Sequence, residues 1–226
     1  MSILENSTLK QIGSHKMLLS AYHIYRSLIG KPVISSSVNE ERKIVFVHNP
    51  KVAGTSLRRL LGLKGDISHF TPGLLVPKKL WEGYFVIVAV REPVERLVSS
   101  YNYHTSERYN GFYLQKYPDI RTWSLETYFK IFGREPFGII PQVNYLRHPL
   151  SDKKPDFVIR YENLEQDVTR LLSVLHMNEE RLPLLNDSSR RAGRVHLISN
   201  RKLLDKVIDF YREDYRQLGY PLPVYA

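Results

Sequence analysis

The chain contains no cysteine in its 226 residues. That absence excludes disulfides, thiolate metal ligation and a cysteine nucleophile, and it agrees with a reducing compartment, so a cytoplasmic location is expected. Long apolar runs are also missing, and nothing approaches the roughly 20 residues needed to span a bilayer. The best N-terminal candidate, Met17 to Ile29, is interrupted by His23 and Arg26. It has no clear small-residue cleavage site, so no signal peptide and no transmembrane segment are expected. There is no HExxH, no His/Cys cluster and no EF-hand spacing, and no metal site is expected. Acidic residues are in deficit: 23 Asp and Glu face 33 Lys and Arg, a net charge of +10. Such a balance points to a polyanionic partner or multiply charged cofactor, or to a solvated basic surface.

What is present is a core-forming composition, 42% hydrophobic and 25% charged, enough for one domain. The most informative stretch is Ile44 to Ser56, IVFVHNPKVAGTS. Ile44, Val45, Phe46 and Val47 form a continuous apolar run, as in a parallel strand covered on both faces. Pro50 stops the strand, Gly54 permits a tight turn or close approach, and Thr55 and Ser56 bring hydroxyls where a helix begins. Strand, glycine turn and helix N-terminus together make an anion site, with Lys51 as a mobile cation beside it. The motif of nucleotide triphosphate loops, GxxxxGK followed by Ser or Thr, is not met, because Lys51 precedes the only glycine. A generic strand–turn–helix with a surface lysine remains the alternative.

Alternation continues down the chain. The pattern predicts a helix through Leu61 ended by Gly62, a helix opened by Thr71 and Pro72, and a second buried strand over Tyr84 to Val90. It then predicts a helix from Pro93 to about Tyr103, another over Thr122 to Phe132, a short strand over Phe157 to Tyr161, and a helix carrying Leu164 to Leu175. A last helix has Leu204, Ile208, Tyr211 and Tyr215 on one face and ends near Gly219. Residues 1–42 read as an N-terminal extension with an amphipathic helix through Leu18, Tyr22, Tyr25 and Ile29, and Ser35 to Glu41 reads as a loop or linker. Residues 43–226 read as a single domain. The expected class is α/β, a mostly parallel central sheet flanked by helices. Ligands of such sheets bind beyond the carboxyl ends of the strands, where Lys51, Arg91 and Arg160 fall.

Arg91 ends the second strand, Pro93 opens the helix that follows, and Ser99 lies about two turns on. A guanidinium and a hydroxyl can hold a terminal phosphate by charge-assisted hydrogen bonds; an ordinary helix start with a small buried serine is the other reading. Pro-Lys-x-x-Gly-Thr-Ser followed by Arg91 and Ser99 on the next strand, in that order, resembles sulfotransferase family 2, which includes carbohydrate sulfotransferases. The segments Gln142 to Leu146, Val158 to Asp167, Asn186, and Asp214 to Tyr220 also look like family segments, so the resemblance runs from about Ile44 to Tyr220. One departure is Glu92, where Asp or Asn is usual; Glu is a poorer helix cap than either.

The resemblance implies a P-loop-like sulfotransferase fold. The implied reaction moves a sulfuryl group from 3′-phosphoadenosine 5′-phosphosulfate (PAPS) to a hydroxyl or amine, by in-line displacement and without a metal, leaving 3′,5′-ADP. It places Ala53, Gly54, Thr55 and Ser56 on the 5′-phosphate, Arg91 and Ser99 on the 3′-phosphate, and Lys51 near the bridging oxygen, where a compact ammonium suits a localised charge. It also implies a carbohydrate or small-molecule acceptor, with no nucleic-acid partner, received by the variable stretches 62–80, 104–121 and 133–155. For the general base, His69 in DISHFTPG comes first and His104 second; a carboxylate stays open, and His48 is expected to pack or orient the strand end. The basic stretch Ser188 to Lys202 offers Arg190, Arg191 and Arg194 to the cofactor, to an acidic acceptor, or to solvent. Arg160 is expected either at the active-site edge or in an ion pair with Glu162 or Asp167. Two other functions stand beside this one. A nucleotide kinase or NTPase would depend on Mg²⁺, and a non-catalytic polyanion-binding module would bind with steep salt dependence.

Overall fold

A computed structural model describes residues 35–65, 67–135, 139–177 and 200–223. The helix expected through Leu18 to Ile29, Asn186, and the arginines 190, 191 and 194 lie outside those residues. The chain divides into two compact units, residues 1–90 with 144–185, and residues 91–143 with 186–226.

The first unit holds a four-stranded sheet in the order β1 (Val38–Asn39), β2 (Ile44–Val47), β3 (Phe85–Val90), β4 (Phe157–Arg160). β1 runs antiparallel to β2, whereas β2, β3 and β4 are parallel, with Val47 opposite Val88 and Val90 opposite Arg160. The sheet is thus mostly parallel, and the class is α/β as expected. Every residue of β2 is buried, which is why this strand reads as an unbroken apolar run rather than an alternating one. Ile44 and Phe46 join Ile87, Ala89 and Ile159 in one core, packed by Leu57, Leu60 and Leu61 of and after α1 (Gly54–Leu60) and by Val168, Leu171 and Leu172 of α7 (Leu164–Val174). Val45, Val47, Val86, Val88 and Val90 are buried on the opposite face. α1 ends as its sequence predicts, with Gly62 at φ +67 and its N–H donating to the Arg59 carbonyl. Thr71 and Pro72 do start a helix, α2, but it runs only over Pro72–Leu75 before α3 (Lys78–Gly83) begins after Pro77. Ser35 to Glu41, read as a loop or linker, instead carries β1 and a 3-10 turn in which Ser36 and Ser37 are buried. A two-residue strand leaves no periodic signal to read.

The second unit is helical: α4 (Pro93–His104), α5 (Phe112–Lys116), α6 (Leu125–Phe132), α8 (Arg201–Phe210) and α9 (Arg212–Leu218). Its core brings together Val94, Leu97 and Val98 of α4, Tyr128 and Phe132 of α6, and Leu203, Leu204, Val207, Tyr211 and Tyr215. Ser124 caps α6 by accepting from the Thr127 N–H at 3.1 Å, which starts this helix three residues later than the pattern suggests. The last helix is two. Tyr211 leaves helical geometry at φ −100, ψ 16, while its hydroxyl donates to the Ile139 carbonyl at 2.8 Å. Gly219, at φ +65, ends α9. Among the described residues no helix is long and apolar enough to cross a membrane.

Phe46 is fully buried between strand and helix, so Phe46→Ala is expected to cost about 3–5 kcal/mol in urea denaturation. Val158, 37% exposed on β4, provides the contrast: Val158→Ala should stay within about 0.5 kcal/mol of wild type.

Candidate active site

In the first unit the loop after β2 departs from ordinary backbone. Lys51 has φ 69 and Ala53 φ 63, both left-handed, while neither Val52 nor Gly54 has a positive φ. The sign of φ therefore alternates over four residues, the backbone pattern from which anion nests are built. Ala53 is the N-cap of α1 with no side-chain hydrogen bond capping the helix, and the first turn of any helix has N–H groups without intrahelical acceptors. Val52 is fully buried and anchors the loop, Thr55 is exposed, and Ser56 is buried. Asn49 fastens the loop to the sheet, its Nδ2 donating to the Ala89 carbonyl at 3.1 Å. Gly54 is required by sterics, since a Cβ there would lie 2.1 Å from Nε2 of His48. These features fit a phosphate: main-chain donors in a nest, two hydroxyls and one cation.

His69 belongs to the same surroundings. Its Nδ1 lies 3.2 Å from the His48 carbonyl, its ring stands edge-on to His48 with centroids 4.7 Å apart, and the buried Tyr145 donates its hydroxyl to the His69 carbonyl at 3.3 Å. Burial lowers the His69 pKa; the carbonyl contact opposes this, and the cations Lys51 and Arg58 lower it further. Burial also holds His48 well below the ordinary histidine value, with His69 and then Arg58 adding to the effect. Both imidazoles are therefore neutral at neutral pH. Arg58, itself buried, donates to the carbonyls of Ser36 and Gly65 and so fixes the turns on either side of α1.

Arg160 ends β4 in this unit. Asp167 accepts from the Arg160 backbone N–H at 2.8 Å, and its carboxylate pairs with Arg170 at 3.3 Å. Asp167 thus meets Arg160 through the main chain, and the side chain it pairs with is Arg170.

In the second unit Arg91 and Ser99 are both buried. Gln142 holds the backbone of Arg91 from both sides: its Oε1 accepts from the Arg91 N–H at 3.0 Å and its Nε2 donates to the Arg91 carbonyl at 2.6 Å. Asp214 anchors Gln142 in turn, accepting from the N–H groups of Gln142 and Val143 at 2.8 and 3.0 Å. The guanidinium of Arg91 lies 3.5 Å from Glu95. Glu92, the departure from the usual pattern, does cap α4: Oε2 accepts from the Glu95 N–H at 2.7 Å, and Oε1 accepts from the Tyr215 hydroxyl at 2.6 Å. The longer side chain reaches both partners, and burial raises its pKa.

His104 sits at the end of α4, within an aromatic cluster. Its Nδ1 and Ser100 Oγ each lie 2.8 Å from the hydroxyl of the buried Tyr128, and Tyr109 and Phe132 flank its ring at 4.8 and 5.0 Å. Nδ1 of His104 is thus tied to a buried hydroxyl, as Nδ1 of His69 is tied to the His48 carbonyl. Among the described residues no group of three His, Asp or Glu could hold a metal ion.

The loop residues and His69 are therefore brought together in one unit, and Arg91 and Ser99 occur in the other. Sequence reasoning named the segments of Gln142 and Asp214 but missed their roles, because a glutamine that clamps a backbone 51 residues away leaves no local signal. The family model described as the sulfotransferase family matches residues 36–221. Neither a curated protein nor a solved structure matches the chain.

Gln142→Leu should cost about 1–3 kcal/mol in urea denaturation, since the buried N–H and carbonyl of Arg91 lose that partner; a cost under about 0.5 kcal/mol would show that the amide holds nothing. The lowered His69 pKa gives a signed prediction. As pH falls below about 6.5, the unfolded chain binds protons that the folded chain resists, so stability drops. The unfolding free energy of wild type relative to His69→Asn should therefore shift against wild type between about pH 7.5 and about pH 5.5.

Proposed function

The chain belongs to the sulfotransferase family, and from that premise we propose that it transfers a sulfuryl group from PAPS to a hydroxyl or amine of a carbohydrate or small-molecule acceptor. The observation that carries this reading is the left-handed turn at Lys51 and Ala53, which makes an anion nest beside a lysine and a neutral histidine. When bound, the donor supplies the activated sulfuryl group and departs as 3′,5′-ADP.

In this proposal the nest, Gly54, Thr55 and Ser56 hold the 5′-phosphate, and Arg91 and Ser99 hold the 3′-phosphate. Lys51 lends its ammonium to the oxygen that gains charge as the sulfur–oxygen bond breaks. His69 takes the acceptor proton. A carbonyl can only accept, so Nδ1 of His69 carries its hydrogen toward His48, and Nε2 holds the lone pair. Its lowered pKa keeps that lone pair available through the neutral range. Positioning supplies much of the remaining acceleration, which suits a loop whose ends are fixed by Asn49 and the buried Val52. Charge is neutralised by the chain's own cations, and the scheme calls on no metal.

Thermal shift tests the donor. We expect 3′,5′-ADP without Mg²⁺ to raise the midpoint, with smaller effects from ATP–Mg²⁺ and from an oligonucleotide. A response to ATP–Mg²⁺ with none to 3′,5′-ADP overturns the proposal in favour of a nucleotide kinase or NTPase. Using labelled PAPS and a panel of carbohydrate and small-molecule acceptors, Lys51→Ala should lower turnover about 100- to 1000-fold. His69→Ala should abolish transfer while keeping the 3′,5′-ADP shift; near-wild-type turnover would move the base to His104 or to a carboxylate.

A further inference from the structure

His48 follows β2 directly, and the scheme above gives its ring no part in the transfer. Yet the ring is only 4% exposed and stands between two groups that the scheme uses. On one side lies Gly54, where an added Cβ would meet Nε2 at 2.1 Å, Cδ2 at 2.2 Å and Cε1 at 2.8 Å. On the other lies the His69 ring, at 4.7 Å between centroids and 79° between planes. The same residue makes a third contact through its backbone, because its carbonyl is the acceptor for His69 Nδ1.

We propose that His48 is a positioning residue: its ring spaces the Lys51–Ser56 loop from the His69 imidazole, and its carbonyl locks His69 in the tautomer that bears hydrogen on Nδ1 and a lone pair on Nε2. The inference rests on the sulfotransferase reading only for the use made of that lone pair. The packing supports a spacer. Nδ1 of His48 has no hydrogen-bond partner among the described residues, so the ring is held by shape against Gly54 and His69 rather than by a polar anchor. The charged and titratable groups acting on the pair are Arg58 on both rings, Lys51 on His69, and the His69 ring on His48. All of these disfavour a second positive charge, which keeps both rings neutral and the carbonyl contact of His69 in one sense. A flat, uncharged ring fits against a glycine at a helix start, where an aliphatic side chain with the same reach would be thicker.

Two measurements on the full chain test the inference. The first is long-range ¹H–¹⁵N NMR of the histidine rings. At neutral pH, His69 of the wild type should show a protonated Nδ1 and a bare Nε2; His48→Ala, which keeps the backbone carbonyl, should retain that tautomer while the lost burial raises the His69 pKa toward the ordinary value. Dominant Nε2–H in the wild type overturns the tautomer lock, and this experiment needs no variant to fold. The second is a double-mutant cycle read by 3′,5′-ADP affinity and by thermal midpoint. Gly54→Ala should weaken 3′,5′-ADP about tenfold or more and lower the midpoint. His48→Ala combined with Gly54→Ala should recover most of both, because the new methyl enters the space the ring has left. Additive losses overturn the spacer. If wild-type protein fails to bind 3′,5′-ADP, the sulfotransferase reading fails, and the NMR result and the midpoint cycle still decide the role of His48.

Discussion

The four parallel rungs between β2 and β3, from Ile44 opposite Phe85 to Val47 opposite Val88, are the constraint on which the loop after β2 depends. Both faces of β2 are buried, so a slip of one residue would exchange two packed faces at once and is strongly disfavoured. That register decides where the strand stops and therefore where the loop begins. Asn49 extends the control past the last rung by bonding the Ala89 carbonyl on β3. Buried Val52 and Leu57 then hold the far side of the loop.

With its ends fixed, the loop can hold strained backbone. Lys51 and Ala53 each adopt a left-handed conformation that costs an L-residue roughly 1–2 kcal/mol, and the surrounding core over-determines it. The alternating signs of φ are the backbone pattern of an anion nest, which is the use proposed for this strain. Electrostatics follow the same plan. Burial depresses the pKa of both paired histidines, and Arg58 beside both and Lys51 beside His69 add to it, so positive charge is concentrated in the permanent cations and the imidazoles stay neutral. The charge surplus of the whole chain is in this sense sorted locally.

Much of this was legible in the sequence. Continuous apolar runs identify β2 and β3 because a strand buried on both faces has no polar side to show, and Pro93 and Gly219 mark helix boundaries by backbone chemistry. The loop after β2 stands out in the sequence because its residue types are unusual in combination. Other features were not. β1 has two residues and no period. The break at Tyr211 interrupts a helical pattern that continues in sequence through Leu204, Ile208 and Tyr215; it shows only in the backbone angles. Glu92 reads as a weak cap on general preference, and its bond to Tyr215, 123 positions away, gives it a second partner that no local rule contains. The same holds for Asp167, which meets the Arg160 backbone rather than its side chain.

The amide of Gln142 offers one donor and one acceptor in the arrangement of a peptide group, and it meets Arg91 as a neighbouring strand would. A single side chain thus stands in for a strand just past the end of β3. A buried backbone N–H or C=O without a partner costs about as much as a lost hydrogen bond. By engaging both backbone groups of the buried Arg91, the amide satisfies them where the rungs to β2 and β4 have already ended.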